Sequence, residues 1–280
     1  MSYILFDIGG TNTRVAVSDD LKRYSEAVSF KTPKKFGEGI EAIVEAVHKL
    51  TDKPVQGMAG GIRGTLNGDK TELAYDSVLT SWIDEPLVET LQKKLKTTVH
   101  LENDAAIAGL GEAHFGAGKG YEIVAYHTVS TGVGGAKIEN GRIDSYHVGF
   151  EPGHQILDID RTILGEEVIP TLENLVSGSA LEERMGVKAY EIPQSDIIWG
   201  QLASYLAHGL RNTVLYWSPD VIVLGGSMIT GNPRILLDDI RMHANEVMGE
   251  ELSCPLIVDA ALGDLGGIYG GMAILAAHEE

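Results

Sequence analysis

Several short segments of this sequence carry residues of the types that bind phosphate or transfer protons. The first follows the apolar run Tyr3–Phe6 and reads Asp-Ile-Gly-Gly-Thr-Asn-Thr-Arg over residues 7–14. Adjacent glycines let backbone N–H groups approach an anion closely, because no Cβ stands in the way. The hydroxyls of Thr11 and Thr13 and the guanidinium of Arg14 would be further donors. The segment indicates a phosphate-binding turn, although an ordinary glycine turn of a β-hairpin would contain the same residues.

Asp7 is the unexpected member of this segment, because a bare carboxylate repels phosphate. It is compatible with phosphate binding if it acts through a cation such as Mg²⁺, which takes oxygen ligands and usually keeps several of its waters. We therefore expect Asp7 to support Mg²⁺ through water.

A second candidate is Asp104, in the sequence Glu-Asn-Asp-Ala that begins at residue 102. It lies where a strand-like stretch ends and a helical pattern of small residues begins. Asn103 or Asp104 can act as the N-cap of that helix. Open α/β sheets bind their ligands at the carboxyl ends of strands, so Asp104 can equally be a catalytic carboxylate. The spacing alone leaves both interpretations open.

Residues 122–138 repeat the arrangement of residues 3–18, with an apolar strand, a turn rich in Thr and Gly, and a second strand. This second turn reads Ser-Thr-Gly-Val-Gly-Gly over residues 130–135. Large-scale repetition of a hairpin is more specific than either turn alone. It predicts two related lobes that each offer a hairpin to the same phosphates. The later pair Gly225-Gly226, between a strand and a helix, suits a flat ligand lying on the backbone, or a plain βα turn.

The spacing of apolar residues predicts a fold in which strands and helices alternate. Helices are expected at residues 36–50 and 85–95, with short strands at 55–59 and 98–101 between and after them. Such alternation is typical of α/β proteins with a largely parallel sheet. The first hairpin would add antiparallel strands to that sheet.

Composition excludes several classes of protein. The chain has 280 residues, a formal net charge of −18 and one cysteine, Cys254. Nucleic acid is disfavoured as a partner, because binding it requires clustered Lys and Arg. A single cysteine forms no internal disulfide and no multi-cysteine zinc site. The first residues contain no basic segment followed by a longer apolar core, and no apolar run reaches the ~20 residues that span a membrane. We therefore expect no signal peptide and a cytoplasmic protein.

Taken in order, these segments resemble the ROK family of sugar kinases, within the actin-like ATPase superfamily. The resemblance covers nearly the whole chain and rests on five segments: residues 7–14, 102–112, 130–135, the Glu-Pro-Gly-His sequence of 151–154, and the strand that precedes Gly225-Gly226. The fold that it implies is α/β, with two ribonuclease-H-like (actin-like ATPase) lobes and an active-site cleft between them. The first lobe would comprise residues 1–115 joined by the C-terminal helix 268–280, and the second residues 116–267.

The resemblance also implies an activity, the phosphorylation of a hexose at its 6-hydroxyl by ATP and Mg²⁺. Asp104 would be the general base, and Asp7 would support Mg²⁺. The sugar-binding residues would be Asn103, Glu151, His154 and Gly61. The ATP-binding residues would be Asp7, Gly9, Gly10, Thr11, Asn12 and Arg14 in the first lobe, and Thr131, Gly132, Gly134, Gly225 and Gly226 in the second. The protein is expected to be a homodimer.

The chain departs from the family pattern after His154. Many ROK proteins bind structural zinc there through a cysteine cluster, but residues 155–162 contain no cysteine. We therefore predict no zinc site, and His154 remains either a sugar contact or a structural histidine. How this segment is held without metal cannot be read from the sequence.

There are four alternatives to a glucose kinase. The sugar could be fructose, allose or an N-acetylhexosamine such as N-acetylmannosamine or N-acetylglucosamine, since glucose is only the base-rate expectation. A regulator of the family is disfavoured, because the first hairpin begins at residue 3, where a helix-turn-helix would be expected, and because the charge is strongly acidic. A catalytically weak sugar-binding or scaffold protein that keeps the fold is disfavoured by the presence of Asp7, Asp104, Thr131 and the paired glycines. A kinase or chaperone ATPase from elsewhere in the superfamily is disfavoured by residues 102–104 and by Glu151 with His154.

Overall fold

The structure, a computed structural model, describes residues 1–146 and 149–279. The chain divides into two compact units by its backbone contacts. The first unit contains Met1–Phe115, Ser145–Gly149 and Asp264–Glu280, and the second contains Gly116–Asp144 and Phe150–Gly263. Glu280, which ends the predicted C-terminal helix, lies outside the described residues. Over the described part of the chain, no helix combines the length and apolarity needed to cross a membrane.

The first unit is a mixed five-stranded sheet with helices packed on it. Its elements are β1 (Ser2–Ile8), β2 (Asn12–Ser18), β3 (Glu26–Lys31), α1 (Phe36–Leu50), β4 (Val55–Ile62), β5 (Thr65–Leu66), β6 (Leu73–Tyr75), α2 (Leu87–Leu95), β7 (Thr98–Asn103), α3 (Asp104–Phe115) and, from the end of the chain, α9 (Gly266–Glu279). The strand order is β3-β2-β1-β4-β7. The hairpin of β1 and β2 is antiparallel, whereas β1, β4 and β7 run parallel.

The parallel strands of this sheet bring the candidate residues to one edge. Asp7 at the end of β1 lies opposite Gly61 of β4, which in turn lies opposite Glu102 of β7. Ile4, Leu5 and Phe6, which precede Asp7, are fully buried. Burying these apolar side chains fixes the strand and therefore the position of the polar residue that follows it.

Helices α3 and α9 pack together through glycines rather than through large side chains. A Cβ on Gly111 would lie 2.3 Å from the carbonyl oxygen of Gly266, and one on Gly270 would lie 1.9 Å from that of Ile107. Both distances are far shorter than atoms allow, so only glycine permits the two backbones to come this close. Because small residues take the place of large apolar ones in both helices, neither shows a strong apolar stripe in the sequence.

The second unit has a sheet of the same design. Its elements are β8 (Ile123–Val129), β9 (Val133–Glu139), β10 (Arg142–Ile143), α4 (Leu172–Val176), α5 (Gly178–Met185), α6 (Ile198–Trp217), β11 (Val221–Gly225), α7 (Ser227–Thr230), α8 (Leu237–Met248) and β12 (Leu256–Asp259). The strand order is β10-β9-β8-β11-β12, with an antiparallel hairpin followed by two parallel strands. The repeat inferred from the sequence is therefore present in the sheet topology.

Three of the predicted elements have different bounds in the structure: α2 begins at Leu87 rather than at residue 85, and β4 and β7 end at Ile62 and Asn103 rather than at residues 59 and 101. Strand β4 continues through Gly60 and Gly61 instead of ending before them, because a Cβ on Gly60 would lie 2.1 Å from the carbonyl oxygen of Phe6 on the neighbouring strand. In the second unit, α4 and α5 are separated only by Ser177. The hydroxyl of Ser177 accepts a hydrogen bond from the N–H of Ala180 at 3.2 Å and begins α5 as its N-cap.

Candidate active site

The turn between β1 and β2 is built from residues that the sequence singled out and one that it did not. The N–H of Gly9 donates to the carbonyl of Asn12 at 3.0 Å, which closes the turn. Thr11 is exposed, and the hydroxyl of Thr32 donates to the carbonyl of Gly9 at 2.7 Å. Thr13 is buried, and its hydroxyl lies 2.9 Å from that of Thr32. The prediction that Thr13 is a phosphate donor is therefore wrong, because its side chain belongs to the interior of the hairpin.

Asp7 lies between a cation and the beginning of α9. Its Oδ2 is 3.4 Å from Nη1 of Arg14, whose Nη2 donates to the exposed carboxylate of Asp264 at 2.7 Å. A Cβ on Gly267 would lie 3.3 Å from the carboxyl carbon of Asp7, so the first turn of α9 is in contact with this side chain. Burial raises the pKa of the Asp7 carboxyl, while Arg14 draws it down.

The structure decides which residue caps α3. Oδ1 of Asn103 accepts hydrogen bonds from the N–H groups of Ala105 and Ala106 at 3.0 and 3.1 Å, and its Nδ2 donates to the carbonyl of Gly64 at 3.0 Å. Asn103 is therefore the N-cap. The role of Asn103 as a sugar contact stays a prediction, and the engaged side chain leaves one N–H for it.

Asp104 is the first residue of α3, and its environment disfavours a charged carboxylate. Burial raises the pKa of Asp104 to about 7, and the nearby Asp7 carboxylate adds to the rise. The N–H of Ala105 and the guanidinium of Arg63 act in the opposite direction. Such a pKa suits a group that takes up a proton near neutral pH.

Gly61 is buried, and its missing side chain makes room for Asp104. A Cβ at this position would lie 2.7 Å from a methyl of Ile107 and 3.2 Å from the Cα of Asp104. The glycine therefore allows the first turn of α3 to lie against β4. Its predicted contact with the sugar stays a prediction.

Arg63 and Asp76 form an ion pair at this edge of the sheet that sequence reasoning missed. Nε of Arg63 donates to Oδ1 of the buried Asp76 at 2.9 Å. The other oxygen of Asp76 accepts from the N–H groups of Val78 and Leu79 at 3.1 and 2.7 Å. A Cβ on Gly10 would lie 2.7 Å from Nη1 of Arg63, so the guanidinium lies against the glycine turn.

A second missed cluster surrounds Glu102, the residue before the cap. Its carboxylate is buried and accepts from Nζ of Lys70 and from the hydroxyl of Tyr146, each at 2.5 Å. Nζ of Lys70 also lies 4.3 Å from the centre of the Tyr146 ring. Burial and the adjacent carboxylate raise the pKa of Tyr146, so its hydroxyl stays protonated as the donor. These contacts fix the end of β7, which carries Asn103 and leads directly into Asp104 at the start of α3.

In the second unit the turn between β8 and β9 is shorter than predicted. Thr131 and Gly132 lie in the turn, whereas Gly134 lies within β9 opposite Thr128. The N–H of Val133 donates to Oε2 of Glu173 at 2.7 Å. That N–H is therefore already engaged by a carboxylate, and the contributions of Thr131, Gly132 and Gly134 to ATP binding stay predictions.

Glu151, His154 and Glu173 lie close together in this unit. The turn that carries the first two packs against β9, since a Cβ on Gly153 would lie 2.3 Å from the carbonyl oxygen of Val133. Desolvation raises the pKa of Glu151, His154 lowers it and Glu173 raises it. The cluster offers two carboxylates and an imidazole, a set that hydrogen-bonds to hydroxyl groups. Glu173 lacked a sequence signal because it belongs to a helix that begins far from the Glu-Pro-Gly-His segment.

The pair Gly225-Gly226 is expected to follow the strand, but Gly225 is the last residue of β11, opposite Thr128, and only Gly226 follows it. Each glycine has a steric reason. A Cβ on Gly225 would lie 2.6 Å from the hydroxyl of Tyr126, and one on Gly226 would lie 2.3 Å from the carbonyl oxygen of Val129. Gly226 has a φ of +87°, a left-handed conformation that favours glycine. Both requirements hold without any ligand, so the adenosine site at this turn stays a prediction.

The segment after His154 is held by a carboxylate and backbone groups. Asp158 accepts from the N–H groups of Thr162, Ile163 and Leu164 at 3.1, 3.1 and 2.8 Å. Nη1 of Arg161 donates to the carbonyls of Glu166 and Val168 at 3.0 and 2.8 Å. These hydrogen bonds stabilise the conformation of the segment after His154 without a metal ligand among them. Across residues 1–146 and 149–279, no group of three or more His, Cys, Asp and Glu side chains is arranged to hold a metal ion.

The chain is similar in sequence and in fold to known sugar kinases. The sequence profile of the ROK family matches residues 3–279. An N-acetyl-D-glucosamine kinase of Pasteurella multocida is 31% identical over 96% of this chain and 97% of its own length. A fructokinase of Pediococcus pentosaceus is 27% identical over 97% of this chain and 96% of its own. The crystal structure of a ROK hexokinase from Thermus thermophilus superposes with a TM-score of 0.85, 27% identity and full coverage of both chains.

Proposed function

This chain belongs to the ROK family, and from that membership we propose that it is a sugar kinase that transfers the γ-phosphoryl group of ATP to a hexose. The observation that carries the proposal is the edge of the first sheet. There Asp104, the first residue of α3, has a pKa of about 7, which the nearby carboxylate of Asp7 helps to raise. Asp7 lies on the strand that leads directly into the glycine turn. Phosphoryl transfer requires a base, donors for the phosphates and a metal at such a site.

Asp104 would act as the general base. A hydroxyl group is a poor nucleophile until its proton is removed, and general-base help is typically worth ~10²–10⁴-fold in rate. A carboxylate whose pKa lies near neutrality both exists in the deprotonated form and takes up the proton readily. Asn103 would hold this side chain in place through the helix cap described above.

The glycine turns would bind the phosphates and the nucleoside. In the first unit the candidates are Gly9, Gly10, Thr11, Asn12 and Arg14. In the second they are Thr131, Gly132, Gly134, Gly225 and Gly226. Glu151, His154 and Glu173 are proposed to bind sugar hydroxyls, because two carboxylates and an imidazole accept and donate the hydrogen bonds that a hexose ring needs.

Asp7 is the residue that fits Mg²⁺. The nearest hydrogen-bond donor to its carboxylate among the described residues is Nη1 of Arg14, at a long 3.4 Å. Carboxylate lone pairs without a close donor suit a hydrated Mg²⁺, which is held by one or two carboxylates together with the phosphates. Bound there, Mg²⁺ would neutralise phosphate charge. Arg14 then orients Asp7, and Asp264 in turn orients Arg14.

The identity of the sugar is the finer part of the proposal. Glucose phosphorylated at its 6-hydroxyl was the base-rate expectation, but relatives of similar likeness carry the names fructokinase and N-acetyl-D-glucosamine kinase. Specificity among hexoses depends on a few polar contacts. A panel of D-fructose, D-glucose, D-mannose, D-allose, N-acetyl-D-glucosamine and N-acetyl-D-mannosamine, compared by kcat/KM in an ADP-release assay, would identify the substrate.

The test of the activity is the substitution Asp104→Asn. We expect it to reduce kcat with the best sugar of the panel by roughly 10²–10⁴-fold. The matched control is Asp52→Asn, an exposed residue after α1, which should keep full activity. Substantial turnover by a folded Asp104→Asn protein would contradict the assignment of the base. The absence of turnover by the wild-type protein with every sugar would favour a non-catalytic sugar-binding protein.

A further inference from the structure

Arg63 lies beside both the glycine turn and Asp104, and the roles proposed above do not use it. It follows directly after β4, at the carboxyl edge of the sheet where open α/β proteins bind ligands. Its N–H donates to the carbonyl of Ile8 at 3.1 Å, which ties its backbone to the end of β1. About one third of its side chain is exposed, so a ligand can reach it.

The guanidinium is held in one orientation by Asp76. This carboxylate is 4% exposed. One of its oxygens accepts hydrogen bonds from the N–H groups of Val78 and Leu79, and the other accepts from Nε of Arg63. A buried carboxylate with three donors is a rigid anchor, because moving it would leave several buried polar groups unpaired. Among the residues that the structure describes, only Nε of this guanidinium has a hydrogen-bond partner, which leaves Nη1 and Nη2 to bind something else.

The direction of those free donors is set by two neighbours. Nη1 lies against Gly10, at 2.7 Å from where a Cβ would be, and the charge is close enough to Asp104 to stabilise its carboxylate. The cation is therefore beside both the glycine turn proposed to bind phosphate and the proposed base. A planar guanidinium with two free N–H groups matches the oxygens of a phosphoryl group.

We infer that Arg63 is a catalytic residue that binds the phosphoryl group during its transfer, oriented by Asp76 as a positioning residue. In that transfer the acceptor oxygen bonds to the γ-phosphorus and the bond to the β–γ bridging oxygen breaks. The electron pair of the broken bond leaves on ADP, and the hydroxyl proton passes to Asp104. The inference rests on the proposed kinase function and adds the group that stabilises the charge of the transition state.

The test separates binding from catalysis in the full-length protein. Arg63→Gln should lower kcat by about 10²–10³-fold, the loss that follows removal of a transition-state donor. It should change the KM of the best sugar and the Kd of AMPPNP by no more than about threefold, because uniform binding is not its role. Binding of ADP with aluminium fluoride, a mimic of the transferring phosphoryl group, should be lost in Arg63→Gln and kept in the wild type.

Two further variants control for structure. Arg23→Gln removes a guanidinium whose side chain is 88% exposed, and it should behave as the wild type in all three measurements. Asp76→Asn can still accept from the backbone of Val78 and Leu79 but releases Arg63, and it should reproduce the loss of kcat with unchanged AMPPNP binding. If Arg63→Gln and Asp76→Asn lower the melting temperature without any loss of kcat, the inference is wrong and Arg63 is only a structural partner of Asp76.

Other outcomes are equally distinct. A raised KM for the sugar with an unchanged kcat would overturn the inference and make Arg63 a substrate contact. Full turnover by Arg63→Gln would overturn it while leaving the kinase function intact. A wild-type protein without turnover on any sugar of the panel would instead contradict the proposed function itself.

Discussion

At the scale of single residues, the environment that would suit Asp104 to proton transfer also has a cost in stability. Its pKa in the folded protein is about 7, against an ordinary value of 3.8. The folded state therefore binds the proton more tightly than the unfolded state does. The stability gained by protonation is fully present below the unfolded pKa and is lost as the pH rises toward 7.

This linkage predicts that Asp104→Asn is more stable than the wild type at pH 8. The neutral amide mimics the protonated acid, so the gain should be roughly 1–4 kcal/mol at pH 8 and should shrink as the pH falls to 5. Urea unfolding at both pH values would measure it. Asp52→Asn, as the exposed control, should show no such pH dependence, and an equal gain at pH 5 and pH 8 would contradict the raised pKa of Asp104.

The residues that sequence reasoning found and missed differ in how the signal is encoded. The glycine turn and the Glu-Asn-Asp segment are contiguous, so residue types within eight positions reveal them. Whether Asn103 or Asp104 caps α3 could not be decided, because both side chains carry an acceptor at the same end of the helix. Arg63 with Asp76, Lys70 with Glu102, and Glu173 with Val133 are pairs separated by many residues, and only the folded backbone brings them together.

At the scale of elements, the contact between α3 and α9 connects the end of the chain to the candidate site. The first turn of α9 lies against Asp7, and the glycines of the contact determine how close the two helices come. Their periodic apolar stripe is weak, so the sequence predicted the helices without predicting their partner. The same limit applies to β4, whose glycine pair suggested the end of a strand and instead allows close approach to β1.

We expect Gly270→Ala to be strongly destabilising. Its Cβ would lie 1.9 Å from the carbonyl oxygen of Ile107, a backbone atom that cannot move without displacing α3. Overpacking of this kind costs typically about 1–3 kcal/mol and occasionally more, and we expect the upper end because backbone meets backbone. The free energy of unfolding in urea is the measurement.

The matched control is Gly37→Ala in α1. No atom lies within 4 Å of its Cβ position, and the residue is helical. Gly37→Ala should raise the free energy of unfolding by roughly 0.5–1 kcal/mol, since alanine loses less backbone entropy than glycine when a helix forms. Similar effects of the two substitutions would show that the close contact between α3 and α9 does not determine stability.

At the scale of the whole molecule, the internal repeat is the feature that made the fold readable from sequence. Each unit contains a hairpin followed by two parallel strands, and each hairpin turn is rich in Gly and Thr. A pattern that occurs twice in one chain in the same order has few physical explanations other than duplicated topology. It could not reveal the difference between the copies: in the second, Val133 at the start of β9 donates its N–H to Glu173, whereas in the first the turn lies beside Arg63.

The net charge of −18 predicts a salt dependence that distinguishes long-range repulsion by the whole protein from local attraction by cations at the candidate site. At low ionic strength the charge of the protein repels an anion such as MgATP²⁻ over a Debye length of about 30 Å, and salt shortens that length to about 8 Å at 0.15 M. We therefore expect kcat/KM for MgATP to rise several-fold between low salt and 0.15 M, whereas kcat/KM for a neutral hexose at saturating MgATP stays constant. The neutral sugar is the internal control, because it responds to salt effects on folding or catalysis but not to long-range repulsion. A fall in kcat/KM for MgATP over the same range would mean that Arg14 and Arg63 dominate the field that the nucleotide meets.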